Sequence, residues 1–236
     1  EDDVRHPLLH TALILLEKLA NSAQSAKLIA VGDVLDAVVA LIVNDDGREE
    51  GELTAMAMSF FQQICIYKEL RPVLINTNWL LQELVAISDS SERPRALKAR
   101  ALSIMGSIAI EESSRKKLLK LPLKLKETLA RLLDIEVKAV PSISSAGEGG
   151  TEVLEKLLWI LRSFCNDAHT CSEMAADKEL VASLLSDKVL FQNARIDDHV
   201  LNTLEHMVSL GDPDVSTCIV ESGLVQSFLT VVKESD

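Results

Sequence analysis

KLLWILRSFCN, residues 156–166, places Leu157, Leu161 and Phe164 at i, i+4 and i+7, the spacing of one face of an α-helix. Trp159 falls outside that stripe, and it is one of only two tryptophans in 236 residues. A bulky indole beside a complete apolar face is either extra core or part of a binding surface. The choice depends on whether the stretch is a lone helix or one copy of a repeated unit. Self-similarity is therefore the first thing to look for.

Four other stretches match its apolar positions: TALILLEKLAN (11–21), MAMSFFQQICI (56–66), RALSIMGSIAI (100–110) and HVLNTLEHMVS (199–209). The shared anchor falls at Leu19, Ile64, Ile108, Phe164 and Met207, giving steps of 45, 44, 56 and 43 residues. The long step holds the polar, Gly/Ser-rich stretch VPSISSAGEGG (140–150), so a flexible insertion is expected over 138–150. Each anchor helix is followed by a short amphipathic stretch and a second apolar-periodic helix. Gly32 and Gly223 mark the turn between them in the first and last copies, and Asn76 and Asn78 stand there in the second. In the third copy Pro122 stands near the start of the second helix, where a missing N–H matters little.

Composition agrees with a helical repeat. Apolar residues make up 47% of the chain and aromatics only 3%, a bias toward interlocking helices rather than sheet. Cys65, Cys165, Cys171 and Cys218 are too few and too irregular for a disulfide framework, and each lies in a helical apolar pattern. They read as buried free thiols of a protein in a reducing, intracellular compartment, cytoplasmic or nuclear. No apolar run reaches the ~18 residues of a membrane span. The chain opens with EDDV, without an initiator methionine, and is read as a piece of a longer protein.

A unit of 43 to 45 residues with a short helix, a second helix and a long third helix resembles the armadillo repeat, or its relative the HEAT repeat. The glycine between the first two helices and the Ala-x-x-Leu-Leu type of third helix favour armadillo. The resemblance implies an all-α, right-handed, armadillo-like superhelical solenoid of about five repeats, one domain over 1–236. It implies third helices lining a concave groove, and a non-enzymatic scaffold or adaptor that binds a partner peptide or helix there.

Armadillo proteins that recognise extended basic peptides carry a Trp, and four residues later an Asn, on each third helix. Here the Trp positions are Ile14, Ser59, Ser103, Trp159 and Asn202, and the Asn positions are Lys18, Gln63, Ser107, Ser163 and His206. Only Trp159 matches, so a receptor for nuclear-localisation signals is not expected. The register makes Trp159 an aromatic anchor, a residue type enriched at binding hot spots; a register one residue off would make it core. The partner-binding groove is expected to comprise Trp159, Arg162, Ser163, Asn202 and His206, extended by Gln63, Ser103, Ser107 and Lys18.

Charge suggests a second mode. Residues 93–131 carry eleven Lys and Arg against Glu111, Glu112 and Glu127, so this belt is +8 in a chain of net charge −12. Arg115, Lys116, Lys117, Lys120 and Lys124 are its centre. It reads either as a solvated face or as a dock for an acidic cytoskeletal tail or an anionic membrane surface, but not as a nucleic-acid site. A third mode is self-association: Leu8, Leu9 and Leu13 in the first helix need a cover, from a second protomer or from the rest of a parent chain. No catalytic constellation appears. GEGG at 147–150 lacks the Lys-Ser/Thr and strand of a phosphate loop, and Cys165, His169 and Cys171 match no closed zinc set. No enzyme activity, metal or cofactor is expected.

Overall fold

The 3.6-residue apolar spacing produces fourteen α-helices and no strand among the described residues of this computed structural model, which are 2–44, 51–120, 124–143, 151–186, 189, 194–210, 213–223, 225 and 226. The chain divides into two compact units, residues 1–123 and 124–236.

The first unit opens on a third helix, α1 (Asp2–Leu19). One repeat follows as α2 (Ala23–Ile29), α3 (Gly32–Val43) and α4 (Glu52–Cys65). The next comprises a 3-10 turn (Lys68–Leu70), α5 (Arg71–Leu74), α6 (Leu80–Asp89) and α7 (Arg95–Ala109), and α8 (Glu112–Lys120) is a further first helix. The second unit holds α9 (Leu125–Ile143), the third helix α10 (Glu152–Phe164), the repeat α11 (Ala168–Ala175), α12 (Lys178–Leu184) and α13 (Ala194–Ser209), and the first helix α14 (Pro213–Glu221). Third helices stack on third helices, α1 on α4 and α4 on α7 in one unit and α10 on α13 in the other.

The anchors explain why the units hold together. Ile64, Ile108, Phe164 and Met207 are at most 1% exposed, each in the middle of a third-helix stripe that a single repeat could not bury alone. Phe60 and Phe61 add a tilted ring pair, 5.4 Å between centroids, to the core around α4. Leu19 differs: it remains 40% exposed at the end of α1. Leu13, expected to need a cover, is already buried, whereas Leu8 and Leu15 are not.

A recurrent polar device closes the third helices. The last carbonyls of a helix have no partner within it, and here a side chain from the following first helix supplies one. Arg71 Nε donates to Cys65 O at 2.9 Å. Arg115 Nη1 donates to Ala109 O at 2.9 Å and to Ile110 O at 2.7 Å. Thr170 Oγ1 donates to Phe164 O. Helices α2, α11 and α12 start on side-chain caps: Ser22 accepts from Ser25 N, Asp167 from Thr170 N and Asp177 from Leu180 N.

Two expectations are corrected. The left-handed residue of the turn in the second copy is Trp79 (φ 60), not Asn76 or Asn78. The Asn78 backbone N–H and side-chain amide both donate to the Asp36 carboxylate on α3, at 3.2 and 3.0 Å, which leaves the reversal to the next residue. Lys124 (φ 46) and Gly223 (φ 76) take the same conformation at the corresponding turns, whereas Val31, before Gly32, is extended. The second correction concerns the insertion expected over 138–150. Helix α9 runs to Ile143, so the stretch begins as helix; residues 144–150 lie outside the described set, as does Pro122.

Candidate functional site: the third-helix face of α10 and α13

Trp159 is not core. The buried face of α10 is Val153, Leu154, Leu157, Leu158, Ile160, Leu161, Ser163, Phe164, and Trp159 projects between that face and solvent, half-buried. The Lys156 ammonium stands 5.9 Å from the ring centroid, a cation–π contact one turn away.

Of the remaining expected residues of this unit, Arg162 and Asn202 meet at Asp198, and His206 bonds separately. Arg162 Nη1 donates to Asp198 Oδ2 at 2.7 Å, joining α10 to α13. Asn202 Nδ2 donates to the Asp198 carbonyl and carboxylate, at 2.6 and 2.8 Å. The His206 ring reaches back across the helix pair, its Nδ1 3.0 Å from Cys165 O, and so closes the end of α10. Ser163 is the exception. Its hydroxyl donates to Trp159 O at 2.9 Å and the residue is 3% exposed, so its polar atom faces its own helix and not the groove. Asp198 was missed by sequence reasoning, although an acidic pair, Asp197–Asp198, opens the helix that carries Asn202 and His206.

His199 sits beside this network with its Nδ1 buried and without a hydrogen-bond partner. Burial holds its pKa below the ordinary histidine value, and the Arg162 guanidinium pushes in the same direction; Asp198 and Glu155 partly oppose them.

The expected residues of the first unit sit on the stacked helices α1, α4 and α7. Lys18 is exposed in the last turn of α1, Gln63 is half-buried on α4, and Ser103 and Ser107 are half-buried on α7. Ser107 Oγ donates to Ser103 O at 2.9 Å. Arg100, on the same helix, donates to Ala55 O and Ser59 Oγ at 3.0 and 3.2 Å and ties α7 to α4.

The basic belt is largely engaged within the protein. Arg115 is 5% exposed and holds the two carbonyls at the end of α7, so it is a structural cation and not part of a docking face. Lys116 pairs with Glu112, and Lys117 reaches the Asn76 side chain at 3.5 Å. Lys120 and Lys124 are exposed. Sequence counting registered the charges but not the carbonyls that draw them inward.

Of the cysteine set, Cys65, Cys165 and Cys171 are buried and Cys218 is half-buried; none of the four forms a disulfide. Burial pushes the Cys65 thiol up to about 12. His169 pairs with Glu173 at 3.4 Å. Among the described residues no group of three His, Cys, Asp or Glu side chains is placed to hold a metal, and no helix is long and apolar enough to cross a membrane. The other tryptophan, Trp79, is 66% exposed, a feature the repeat pattern gave no reason to expect.

No protein-family model matches the sequence, and a search of curated proteins finds no match. Solved structures do match. A computationally designed armadillo repeat protein for modular peptide recognition superposes with a TM-score of 0.68 at 17% identity, over 91% of this chain and 82% of its own. An engineered protein from a structural genomics consortium superposes with a TM-score of 0.73 at 15% identity, over 100% of this chain and 88% of its own. A second protein from the same source gives 0.68 at 16%, over 96% and 83%. At these identities the likeness speaks for architecture alone, and that architecture is an armadillo-like helical repeat.

Proposed function

We propose that this protein is a non-enzymatic interaction scaffold that binds an extended peptide or a helix of a partner protein on its third-helix face. The observation that carries the reading is Trp159: a large half-buried aromatic side chain outside the buried face of α10, one turn from Arg162, on the helix that packs against the one bearing Asn202 and His206. Aromatic anchors flanked by polar groups are the usual composition of binding hot spots. An amide such as Asn202 can pair with the backbone of an extended ligand. The designed armadillo protein of similar fold, made for modular peptide recognition, supports a peptide-binding use of such a scaffold. Gln63, Ser103, Ser107 and Lys18 form the corresponding face of the first unit, with smaller side chains and no aromatic anchor.

The test is selection of peptide ligands from a random library on the wild type, followed by affinity measurement with Trp159→Ala, Asn202→Ala and a Lys116→Glu/Lys117→Glu/Lys120→Glu variant, each checked for unchanged helicity. Loss of about tenfold or more in the first two, with the belt variant unaffected, supports the reading. If only the belt variant loses ligand, binding is electrostatic and the third-helix face is structural.

A further inference from the structure

The fold treats its two tryptophans differently. Trp159 has a cation by its ring, Lys156, at 5.9 Å from the centroid. Trp79 has none among the described residues, and it is 66% exposed. It also holds a left-handed backbone at the N-cap of α6, a conformation that strains any residue with a Cβ and that glycine takes freely. Gly223 stands in the corresponding turn near the end of the second unit. Neither burial nor backbone geometry accounts for an indole here, since glycine would serve both better. Strain of this kind collects at functional sites, and exposed tryptophan is a side chain that binding surfaces favour.

The surroundings of the ring select the ligand. Helices α3 and α6 pack on each other, and between them they carry Asp33, Asp36, Glu83 and Asp89 but no Lys or Arg. The Asp36 carboxylate stands beside the turn, where it accepts two bonds from Asn78, the residue before Trp79. Both donors are neutral, so they leave its charge in place. Glu83 lies one turn into α6, its N–H donating to Trp79 O at 3.0 Å. Lys117 of α8 comes to the same turn but stops at the Asn76 side chain, 3.5 Å away. The face of an indole is itself negative, so ring and carboxylates act in the same sense and both favour a cation. A guanidinium fits the pair better than an ammonium, because it is planar enough to stack on the ring while its N–H fork reaches a carboxylate. We propose that Trp79, with Asp36 and Glu83, seats an arginine side chain of a partner protein at the α3/α6 edge of the first unit. This site lies on second helices and does not rest on the face of α10 and α13.

The test is fluorescence anisotropy of a labelled (Arg-Gly)4 peptide titrated with the chain in about 0.1 M salt, beside lysine and citrulline peptides of the same length. Trp79→Gly and Trp79→Asn both tolerate the left-handed backbone and remove the ring, so one serves if the other folds poorly. Glu83→Gln removes one charge, Trp159→Ala leaves the site intact, and every variant is checked for unchanged helicity. The wild type is expected to bind the arginine peptide saturably. Either Trp79 variant should weaken it about two- to fivefold and Glu83→Gln about twofold, with Trp159→Ala unchanged. The lysine peptide should bind more weakly, and the uncharged citrulline peptide should not bind. Trp79 variants that bind as the wild type does overturn the proposal, because the attraction is then that of a chain of net charge −12 for any basic peptide. A wild type without saturable binding overturns it too, as does a loss confined to Trp159→Ala, which would move the cation to α10.

Discussion

Arg115 separates two readings of the basic belt. In the structure its guanidinium is buried and donates to two carbonyls at the end of α7. Arg115→Met keeps the apolar stem and removes both bonds. A hydrogen bond from a charged donor contributes about 1.5–3 kcal/mol, and a buried carbonyl left unpaired costs ~1–3 kcal/mol. Water reaching the helix end recovers part of that loss, so the expected net destabilisation is about 2–4 kcal/mol. At roughly 2–4 °C per kcal/mol for a chain of this size, the melting temperature should fall by about 5–15 °C. Urea unfolding followed by helicity should show a lower midpoint with an unchanged slope, because the surface exposed on unfolding is the same. Lys120→Ala, an exposed belt residue, should stay within about 0.5 kcal/mol of wild type. An Arg115→Met protein as stable as Lys120→Ala would refute the reasoning and return Arg115 to the surface belt.

Three further outcomes follow from the geometry. In the native protein a thiol reagent should modify Cys218 first, with Cys65, Cys165 and Cys171 reacting only at the unfolding rate; prompt labelling of all four would contradict their burial. His199 is held below its unfolded pKa of about 6.5, so folding stability is full above that pH and is lost as the pH falls below it, where the unfolded chain takes up a proton that the folded one resists. His199→Gln should narrow the gap between melting temperatures at pH 7.5 and pH 5.5, and an unchanged gap would remove His199 from the acid response. Trp79→Gly should stabilise by up to about 1 kcal/mol, since a left-handed backbone costs a non-glycine residue ~1–2 kcal/mol and little of this indole is buried. A loss of stability on denaturant titration would mean that Trp79 packs more than its exposure indicates.

Helix order and repeat length were legible in the sequence because one physical constraint repeats: a third helix buries a stripe at fixed spacing, and Ile64, Ile108, Phe164 and Met207 are its invariant points. The turns were less legible. Glycine marks a left-handed residue only where nothing else dictates the conformation, and at Trp79 the Asp36 carboxylate across the repeat fixes the reversal. The residues expected to line a groove fall on third helices, but their bonding was not legible in the spacing. Ser163 and Ser107 occupy the expected register, yet each hydroxyl donates to a carbonyl four residues earlier, a partner that spacing cannot reveal. Arg115 was counted as a surface cation because sequence gives charge, whereas its depth is set by α7 ending beside it.

That bonding also constrains how the α10–α13 face can work on the reading proposed for it. Arg162, Asp198, Asn202 and His206 each already have a partner within the protein, so a ligand group gains only the difference between its bond and the one it replaces. An exposed ion pair such as Arg162–Asp198 contributes ~0–1 kcal/mol, and exchanging it for another adds little net affinity. It does select for ligands that can satisfy both halves: a carboxylate presented to Arg162 leaves Asp198 in need of a donor, which a peptide N–H or a cationic side chain can supply. The surplus must come from apolar area, and on this face that means the indole of Trp159. One such anchor, against the entropy of ordering a peptide, corresponds to affinities of about micromolar order rather than nanomolar. A ligand meeting these conditions carries an apolar side chain opposite Trp159 and an acid–base or acid–amide pair spaced to span α10 and α13.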